Sequence, residues 1–189
     1  VCSSDLELVE IQGRYGDARQ TEINSNAFDL SDEDLITPTD MVVTLSYSGY
    51  AKAQPVADYQ AQRRGGKGRI ATRNKDEDFV RTMFVANSHD TILCFSSAGK
   101  VYWLKVYQLP QAGRHARGRP LVNLLPLEQE ERITAFLPLG EYPVGHFIFM
   151  ATRSGTVKKC AISSFARPRS TGLRAIELMD DDEMVEIGR

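Results

Sequence analysis

The sequence predicts an all-β fold, a propeller-like array of about three four-stranded blades with a short N-terminal helix. Two observations predict this fold. A strand–turn–strand pattern occurs three times, with turn glycines at Gly49, Gly99 and Gly155, about 50 residues apart. Each copy is followed by a basic, glycine-containing stretch and further β-like runs, which makes about four strands per unit. One such sheet cannot bury both of its faces alone, so neighbouring sheets must stack.

The first 40 residues differ from the repeats and predict a helix followed by an acidic connector. Leu6, Val9 and Ile11 recur at near-helical spacing, and the glycines that follow them predict the end of this helix. Residues 26–40 are acidic and rich in turn-forming residues. The predicted organisation is therefore an N-terminal helix and connector over residues 1–40 and a C-terminal β domain over residues 41–189.

Each predicted blade begins with a hairpin in which a short polar turn ends in glycine. The hairpins are VVTLSYSGYAKAQPVADY from Val42, ILCFSSAGKVYWLKVYQL from Ile92 and FIFMATRSGTVKKCAISSF from Phe147. We expect the turn glycines to adopt positive φ, which costs glycine little. The predicted blades cover approximately residues 41–90, 91–141 and 142–189.

Further β-like runs complete the blades. LVNLL (121–125) and LRAIEL (173–178) follow basic stretches, whereas FVRTMFVAN (79–87) and RITAFLPL (132–139) follow acidic connectors, and each run predicts a strand. The apolar side chains then form a core between stacked blades. We expect Phe95, Trp103 and Phe149 to belong to that core.

The charges are sorted along the chain although the net charge is only −2. Three basic blocks, at residues 41–75, 91–127 and 142–174, hold 18 Lys and Arg residues and one acidic residue, and acidic segments separate them. Because the blocks fall at one corresponding place in each repeat, stacking would join them into a cationic track along one edge. Such a track is the electrostatic feature expected for binding a polyanion.

The track predicts binding of duplex DNA without sequence specificity, since phosphate neutralisation requires cations and little base chemistry. Glycines within the basic stretches would also let backbone N–H groups approach phosphates. Single-stranded nucleic acid is less expected, because no aromatic residues alternate with the cations. Charge and repeat position select the candidate phosphate-binding residues Arg69, Arg114, Arg117, Arg119, Lys158, Lys159, Arg167, Arg169 and Arg174.

Catalytic and cofactor motifs are missing from the sequence. It contains no phosphate-binding loop, no dinucleotide fingerprint and no nucleophile elbow. Neither the three histidines nor the three cysteines show metal-ligand spacing, and the Asp180–Asp182 run is best interpreted as an acidic turn. No apolar run approaches the roughly 18 residues of a membrane span. We therefore expect a cytoplasmic binding module with no cofactor, metal or membrane partner.

The basic stretch QRRGGKG resembles the seven-residue box that marks the A subunit of bacterial DNA gyrase. The similarity extends over nearly the whole chain from about Leu6. It includes the segments YGDARQTEI, DLITPTDMVVTLSYSGYAKAQP, HDTILCFSSAGKVY, ARGRPLVNLLPLEQEERITAFLP and MATRSGTVKK. The resemblance implies a β-pinwheel, a propeller-like disc in which neighbouring blades exchange strands and duplex DNA wraps around a basic rim. Because the family typically has six blades, this chain would be a partial β-pinwheel.

The resemblance also implies roles for residues and partners. The wrapping box falls on Gln62, Arg63, Arg64, Gly65, Gly66, Lys67 and Gly68. In the family, wrapping enables ATP-dependent negative supercoiling. The implied protein partners are the gyrase B subunit, together with a second A subunit, through regions not in this chain, and ATP and Mg²⁺ are implied only for the parent enzyme. The family's catalytic tyrosine belongs to a region not in this chain, so this piece is expected to wrap DNA without cutting it.

Three alternatives remain open from the sequence. The corresponding subunit of topoisomerase IV is the alternative within the same class, although its box is degenerate or absent. A propeller scaffold that binds an acidic protein partner is the alternative from another class. A third hypothesis is that the acidic connectors compete with DNA for the basic track.

Overall fold

The computed structural model describes residues 3–17, 32–59, 78–113, 116–179 and 181–188. The chain divides into two compact units, Val1–Leu35 and Ile36–Arg189. The first unit contains helix α1 (Ser3–Tyr15) and a 3₁₀ turn (Asp32–Leu35). The predicted N-terminal helix is therefore present. None of the helices in the described ranges is long and apolar enough to cross a membrane.

Within the described ranges, the second unit contains eleven strands and several single 3₁₀ turns. The strands are β1 (Asp40–Ser46), β2 (Tyr50–Pro55), β3 (Val80–Asn87), β4 (Thr91–Ser96), β5 (Lys100–Lys105), β6 (Arg119–Pro120), β7 (Ile133–Leu139), β8 (Phe147–Thr152), β9 (Val157–Ala161), β10 (Leu173–Arg174) and β11 (Met184–Gly188). The 3₁₀ turns are Val56–Asp58, Val106–Gln108, Leu121–Asn123 and Ile162–Phe165. The predicted all-β fold is confirmed.

The strands form three antiparallel sheets. The first sheet has the order β3-β1-β2-β6, the second β7-β4-β5-β10 and the third β11-β8-β9. In the first two sheets the outer strand comes from the next repeat along the chain: β6 follows β5 in sequence but pairs with β2, and β10 follows β9 but pairs with β5. Neighbouring blades therefore exchange strands, as the resemblance implied, and a sheet is not a contiguous stretch of sequence.

The three predicted turn glycines close the three central hairpins. Gly49, Gly99 and Gly155 have φ of +78°, +73° and +89°, a region that other residues rarely adopt. Each glycine N–H donates to the carbonyl three residues earlier, at 3.0–3.1 Å. These glycines thus set the register of the hairpins, and their predicted role is confirmed.

The middle sheet is buried on both faces because it packs between the other two. All six residues of β4 are buried, and alternate residues face opposite neighbours. Ile92 and Cys94 pack with the first sheet, whereas Leu93 and Phe95 pack with the third. Phe95 contacts Phe165 edge to face, with ring centroids 6.1 Å apart. Burial between sheets, at about 25 cal/mol per Å² of apolar surface, is the main stabilising contribution.

Two apolar runs that were predicted to be strands form no strand or only a very short one. LVNLL forms the 3₁₀ turn Leu121–Asn123 instead of a strand, and only Leu173 and Arg174 of LRAIEL are in a strand. In both places the ladder stops where the chain reaches the hairpin turn of the preceding repeat. There Ala175 and Ile176 both donate their N–H groups to the same carbonyl, that of Gly99. The apolar residues beyond this point fill the core from a turn.

One predicted core residue lies on the surface. Phe149 is 49% exposed, whereas Phe95 is fully buried and Trp103 packs against the core between the second and third sheets. In strand register Phe149 occupies the position of Leu93, which the third sheet covers. No further sheet covers Phe149 in the described part of the chain, so the expectation of a core role was wrong here.

Candidate nucleic-acid interface

The basic stretches of the second and third repeats occupy the same place on successive sheets. Pro120 pairs with Tyr50, and Arg174 pairs with Lys100, where Tyr50 and Lys100 each begin the second strand of a hairpin. Beyond them, Leu121 N–H donates to the Gly49 carbonyl at 2.8 Å, and Ala175 N–H donates to the Gly99 carbonyl at 2.8 Å. The exchanged strands β6 and β10 therefore pair with the preceding hairpins in the same register.

We use the term exchanged-strand border for β6 and β10 together with residues 116–118 and 167–172, which precede them. Both strands lie at the same edge of their sheets, beside the second hairpin strand, and the sheets stack through shared cores. The border therefore continues from one sheet to the next. Its basic residues are all exposed and are Arg117, Arg119, Arg167, Arg169 and Arg174.

The remaining predicted site residues divide into two groups. The box, Arg69 and Arg114 lie outside the described residues. Lys158 and Lys159 lie on β9, outside the border, although Lys158 bonds the residue that directly follows β10. The Lys158 ammonium donates to the Ala175 carbonyl at 2.7 Å, and the Lys159 ammonium lies 4.1 Å from the centroid of the Phe147 ring. The structure thus brings together two of the three basic stretches and places these two lysines elsewhere.

Glycines lead into both exchanged strands. Gly118 has φ of +88° and Gly172 has φ of +76°. A Cβ on Gly118 would lie 2.3 Å from the Ala51 carbonyl oxygen, and a Cβ on Gly172 would lie 2.6 Å from the Tyr102 ring. Both glycines are therefore required for close passage over the preceding sheet. This reason differs from the approach to phosphates that the sequence suggested for glycines in the basic stretches.

Arg117 is held over an aromatic ring at the border. Its guanidinium carbon lies 4.1 Å from the centroid of the Tyr50 ring, a cation–π contact. The buried Asp78 carboxylate lies close by and accepts a hydrogen bond from the Ser48 N–H at 3.0 Å. Burial raises the pKa of Asp78, but hydrogen bonds from Ser46 and Ser48 and the charge of Arg117 outweigh it, so the pKa is lowered. Arg117 therefore has a defined position instead of extending freely into solvent.

The acidic segments between repeats have a structural role that the sequence did not suggest. Asp78, Glu131 and Asp182 occupy equivalent positions, two residues before strands that pair with Ser46, Ser96 and Thr152. Each of these carboxylates lies beside the turn of a hairpin. Their spacing, close to that of the turn glycines, was the signal in the sequence that could have identified them.

The hydrogen bonds of these carboxylates differ between repeats. Asp182 accepts from the Ser154 N–H at 3.0 Å and from the Ser154 hydroxyl at 2.6 Å, as Asp78 does from Ser48 N–H in the first repeat. In the second repeat Glu131 instead accepts from the Tyr102 hydroxyl at 2.9 Å. At the hairpin turns of the first and third repeats, the acidic residues thus bind N–H groups of their own sheet.

The cations near the hairpin turns form ion pairs with carboxylates, whereas most cations of the border do not. Lys100 pairs with Glu128, while Arg132, at 2.9 Å, and Arg153 both pair with Glu183. On the border, Arg174 has only a 3.9 Å contact to the exposed Glu177, a type of pair that contributes little. Within the ranges that the structure describes, no ion pair is formed by Arg117, Arg119, Arg167 and Arg169.

The border therefore presents more positive charge than the carboxylates beside it, Asp78 near Arg117 and Glu177 near Arg174, can neutralise. Such a surface can bind phosphates by charge-assisted hydrogen bonds, and arginine suits this geometry well. Across the same described ranges no group of three or more His, Cys, Asp or Glu side chains could hold a metal ion. The chemistry that this surface supports is the binding of a polyanion.

Comparison with known proteins shows the family of this chain. The sequence model of the family described as DNA gyrase C-terminal domain, beta-propeller, matches residues 40–87, 90–139 and 146–188. The DNA gyrase A subunit of Salmonella typhimurium is 59% identical over 187 residues, covering 99% of this chain and 21% of that protein. The DNA gyrase A subunit of Escherichia coli K12 is 59% identical over 174 residues, covering 92% and 20%. The chain thus spans about a fifth of the length of these curated relatives.

Solved structures share the fold. The C-terminal domain of DNA topoisomerase IV matches with a TM-score of 0.68 and 25% identity, over 81% of this chain and 46% of that one. The DNA gyrase A C-terminal domain matches with a TM-score of 0.59 and 23% identity, over 78% and 47%. The family match covers all three repeats, and the resemblance noted in the sequence is confirmed. The chain belongs to the DNA gyrase C-terminal domain family of β-propellers.

Proposed function

We propose that this chain binds duplex DNA without sequence specificity along the exchanged-strand border and bends it around the stacked sheets. The observation that carries the proposal is the register of the border. Exposed arginines without ion pairs lie on or just before two exchanged strands that are in matching register on successive sheets, so one continuous phosphate backbone can contact both groups in turn. This arrangement suits a long, regular polyanion better than a compact acidic ligand.

Binding to this border would come mainly from the release of counterions. Each neutralised phosphate contributes a slope of about −0.9 to the dependence of log K on log salt concentration for duplex DNA. The four border arginines without ion pairs would therefore contribute about −4. The candidate cations Arg63, Arg64, Lys67, Arg69 and Arg114 would make the slope steeper.

Bending requires several contacts distributed along the duplex. Smooth bending of a 20–30 bp site by 40–90° costs of order 1–6 kcal/mol. A single arginine–phosphate contact does not offset that cost, whereas a row of contacts on successive sheets does. We infer that the repeats act together, with each sheet fixing the direction of the DNA for the next.

The activity of the longer parent protein is part of the same proposal. We propose that the chain belongs to the A subunit of a bacterial, cytoplasmic DNA gyrase, which acts with a second copy of itself and with the gyrase B subunit. Wrapping would give the DNA crossing its handedness, and ATP-driven strand passage elsewhere would convert that crossing into negative supercoils. ATP and Mg²⁺ would act in those other regions, and no step here involves them.

The experiment that tests the proposal is binding of the full chain to a duplex of about 30 bp over a salt series. We expect a slope of −4 or steeper and equal affinity for unrelated sequences. A slope near zero, or affinity for an acidic polypeptide but not for DNA, would support the protein-scaffold alternative instead.

A further inference from the structure

We propose that Lys52 is a positioning residue that holds the second repeat's basic stretch in place on the first sheet. The inference rests on the proposed function and deepens it. It concerns how Arg117 and its neighbours are fixed at the border, and it assigns no contact between Lys52 and DNA.

Lys52 is buried, which is unusual for a lysine. Its residue surface is only 3% exposed although it lies on β2, the second hairpin strand of the first sheet. Its ammonium donates to the Ala116 carbonyl at 3.0 Å and to the Gly113 carbonyl at 3.3 Å. Burial lowers the pKa of Lys52, as expected for a desolvated ammonium. These hydrogen bonds to the next repeat offset the cost of burying the charge.

The two carbonyls belong to Gly113 and Ala116, a pair of residues that are themselves joined by a backbone hydrogen bond. Ala116 N–H donates back to the Gly113 carbonyl at 3.0 Å, and Arg117 follows directly. The lysine therefore bonds both residues of this Gly113–Ala116 pair. Without the ammonium, the Ala116 carbonyl would lose a charged donor at the point where the chain enters the border.

Strand β2 also holds the chain on both sides of this pair. Before it, Ala53 N–H donates to the Pro110 carbonyl at 3.0 Å, and Ala53 pairs with Gln111. After it, Gly118 passes within contact of Ala51, and Arg119 pairs with Ala51 in the ladder. The Lys52 side chain, also on β2, bonds the Gly113–Ala116 pair between these two attachments.

The equivalent positions in the other hairpins support this role. In strand register Lys52 corresponds to Tyr102 and Lys158. The Tyr102 ring lies directly under Gly172, at the entry to β10, and the Lys158 ammonium donates to the Ala175 carbonyl just after β10. All three side chains contact a segment next to an exchanged strand. In the first hairpin, the buried ammonium bonds both residues of the Gly113–Ala116 pair.

The test uses the full chain with Lys52→Met, which removes the donors but keeps the side-chain length. Lys105→Met is the matched control, because the Lys105 ammonium also donates to a backbone carbonyl, that of His89, at 3.0 Å, but from the far end of a hairpin. Arg117→Gln and the double variant Lys52→Met/Arg117→Gln complete a double-mutant cycle in DNA affinity.

We expect the salt slope of Lys52→Met to be shallower by about one, as for Arg117→Gln, because one phosphate contact is lost. Affinity should fall several-fold in each single variant, and the double variant should bind about as well as Arg117→Gln. The control should keep the wild-type slope. Additive losses in the cycle, or an unchanged slope for Lys52→Met, would overturn the inference.

Hydrogen exchange gives a second readout that does not depend on DNA. In Lys52→Met the amide of Leu121, bonded to Gly49, should exchange faster, while amides of β4 keep their protection. Uniform loss of protection, or no change at Leu121, would contradict the positioning role. If the unaltered chain fails to bind DNA, the proposed function is wrong, and the exchange result alone decides the role of Lys52.

Discussion

Replacement of Gly118 by alanine tests whether the exchanged strand must pass closely over the preceding sheet. The structure sets two separate costs for Gly118→Ala. The residue has φ of +88°, which costs an alanine roughly 1–2 kcal/mol. The new Cβ would also lie 2.3 Å from the Ala51 carbonyl oxygen, a backbone atom that cannot rotate away. The segment must therefore move off β2.

Gly145→Ala is the control for the conformational cost alone. Gly145 has φ of +83°, but a Cβ there meets nothing within 4 Å. We expect Gly145→Ala to lower the free energy of unfolding by roughly 1–2 kcal/mol. Gly118→Ala should cost more, because moving the strand also weakens backbone hydrogen bonds worth about 0.5–1.5 kcal/mol each. A total of about 2–4 kcal/mol is expected for Gly118→Ala.

Urea denaturation of the two variants and the parent chain measures this difference. For a chain of this size, each kcal/mol corresponds to about 2–4 °C in melting temperature, so thermal melts provide a second measurement. Equal destabilisation by the two substitutions would refute the reasoning, because it would mean that the close approach to Ala51 has no energetic consequence.

Three further predictions concern charge, acid stability and packing. Arg119→Gln should make the salt slope of DNA binding shallower by about one without changing the melting temperature. An unchanged slope would show that Arg119 does not contact the DNA. Hydrogen bonds from Ser154 lower the pKa of Asp182 to about 2. The ionised carboxylate therefore stabilises the folded state at pH values above its ordinary pKa near 4, and this stabilisation is lost as the pH falls towards 2. Asp182→Asn should therefore flatten the dependence of melting temperature on pH in that window, and an unchanged acid transition would contradict this. Phe95→Ala should cost about 3–5 kcal/mol of unfolding free energy, whereas Phe149→Ala, at a half-exposed position, should cost far less, and similar losses would contradict the packing described.

The hairpins could be predicted because their signals are local. Alternating apolar residues fix the strand faces, and a glycine at positive φ fixes each turn, so Gly49, Gly99 and Gly155 were identified correctly. The apolar run at Leu121 was misinterpreted for a related reason. Apolar residues can enter a core from a turn as well as from a strand, and the length of a run does not distinguish the two.

Pairing across repeats could not be derived from the local pattern. Nothing in the residues around Arg119 or Arg174 shows that they pair with the preceding sheet, and strand exchange was implied only by the family resemblance. The acidic connectors were interpreted as charge alone, since the hydrogen bonds of Asp78 and Asp182 depend on which hairpin lies beside them. The exposure of Phe149 likewise depends on whether another sheet covers its strand, and the residues around Phe149 do not show this.

The central claim is that cations on successive sheets act together to wrap a duplex. A topology assay tests it most directly: the full chain is bound to nicked circular DNA, the nick is ligated, and the linking number is measured after the protein is removed. We predict a shift in linking number that grows with protein concentration and is strongly reduced in Arg117→Gln/Arg119→Gln/Arg167→Gln/Arg169→Gln. A chain that binds the circle tightly but leaves its linking number unchanged, or a quadruple variant that shifts it fully, would contradict the claim.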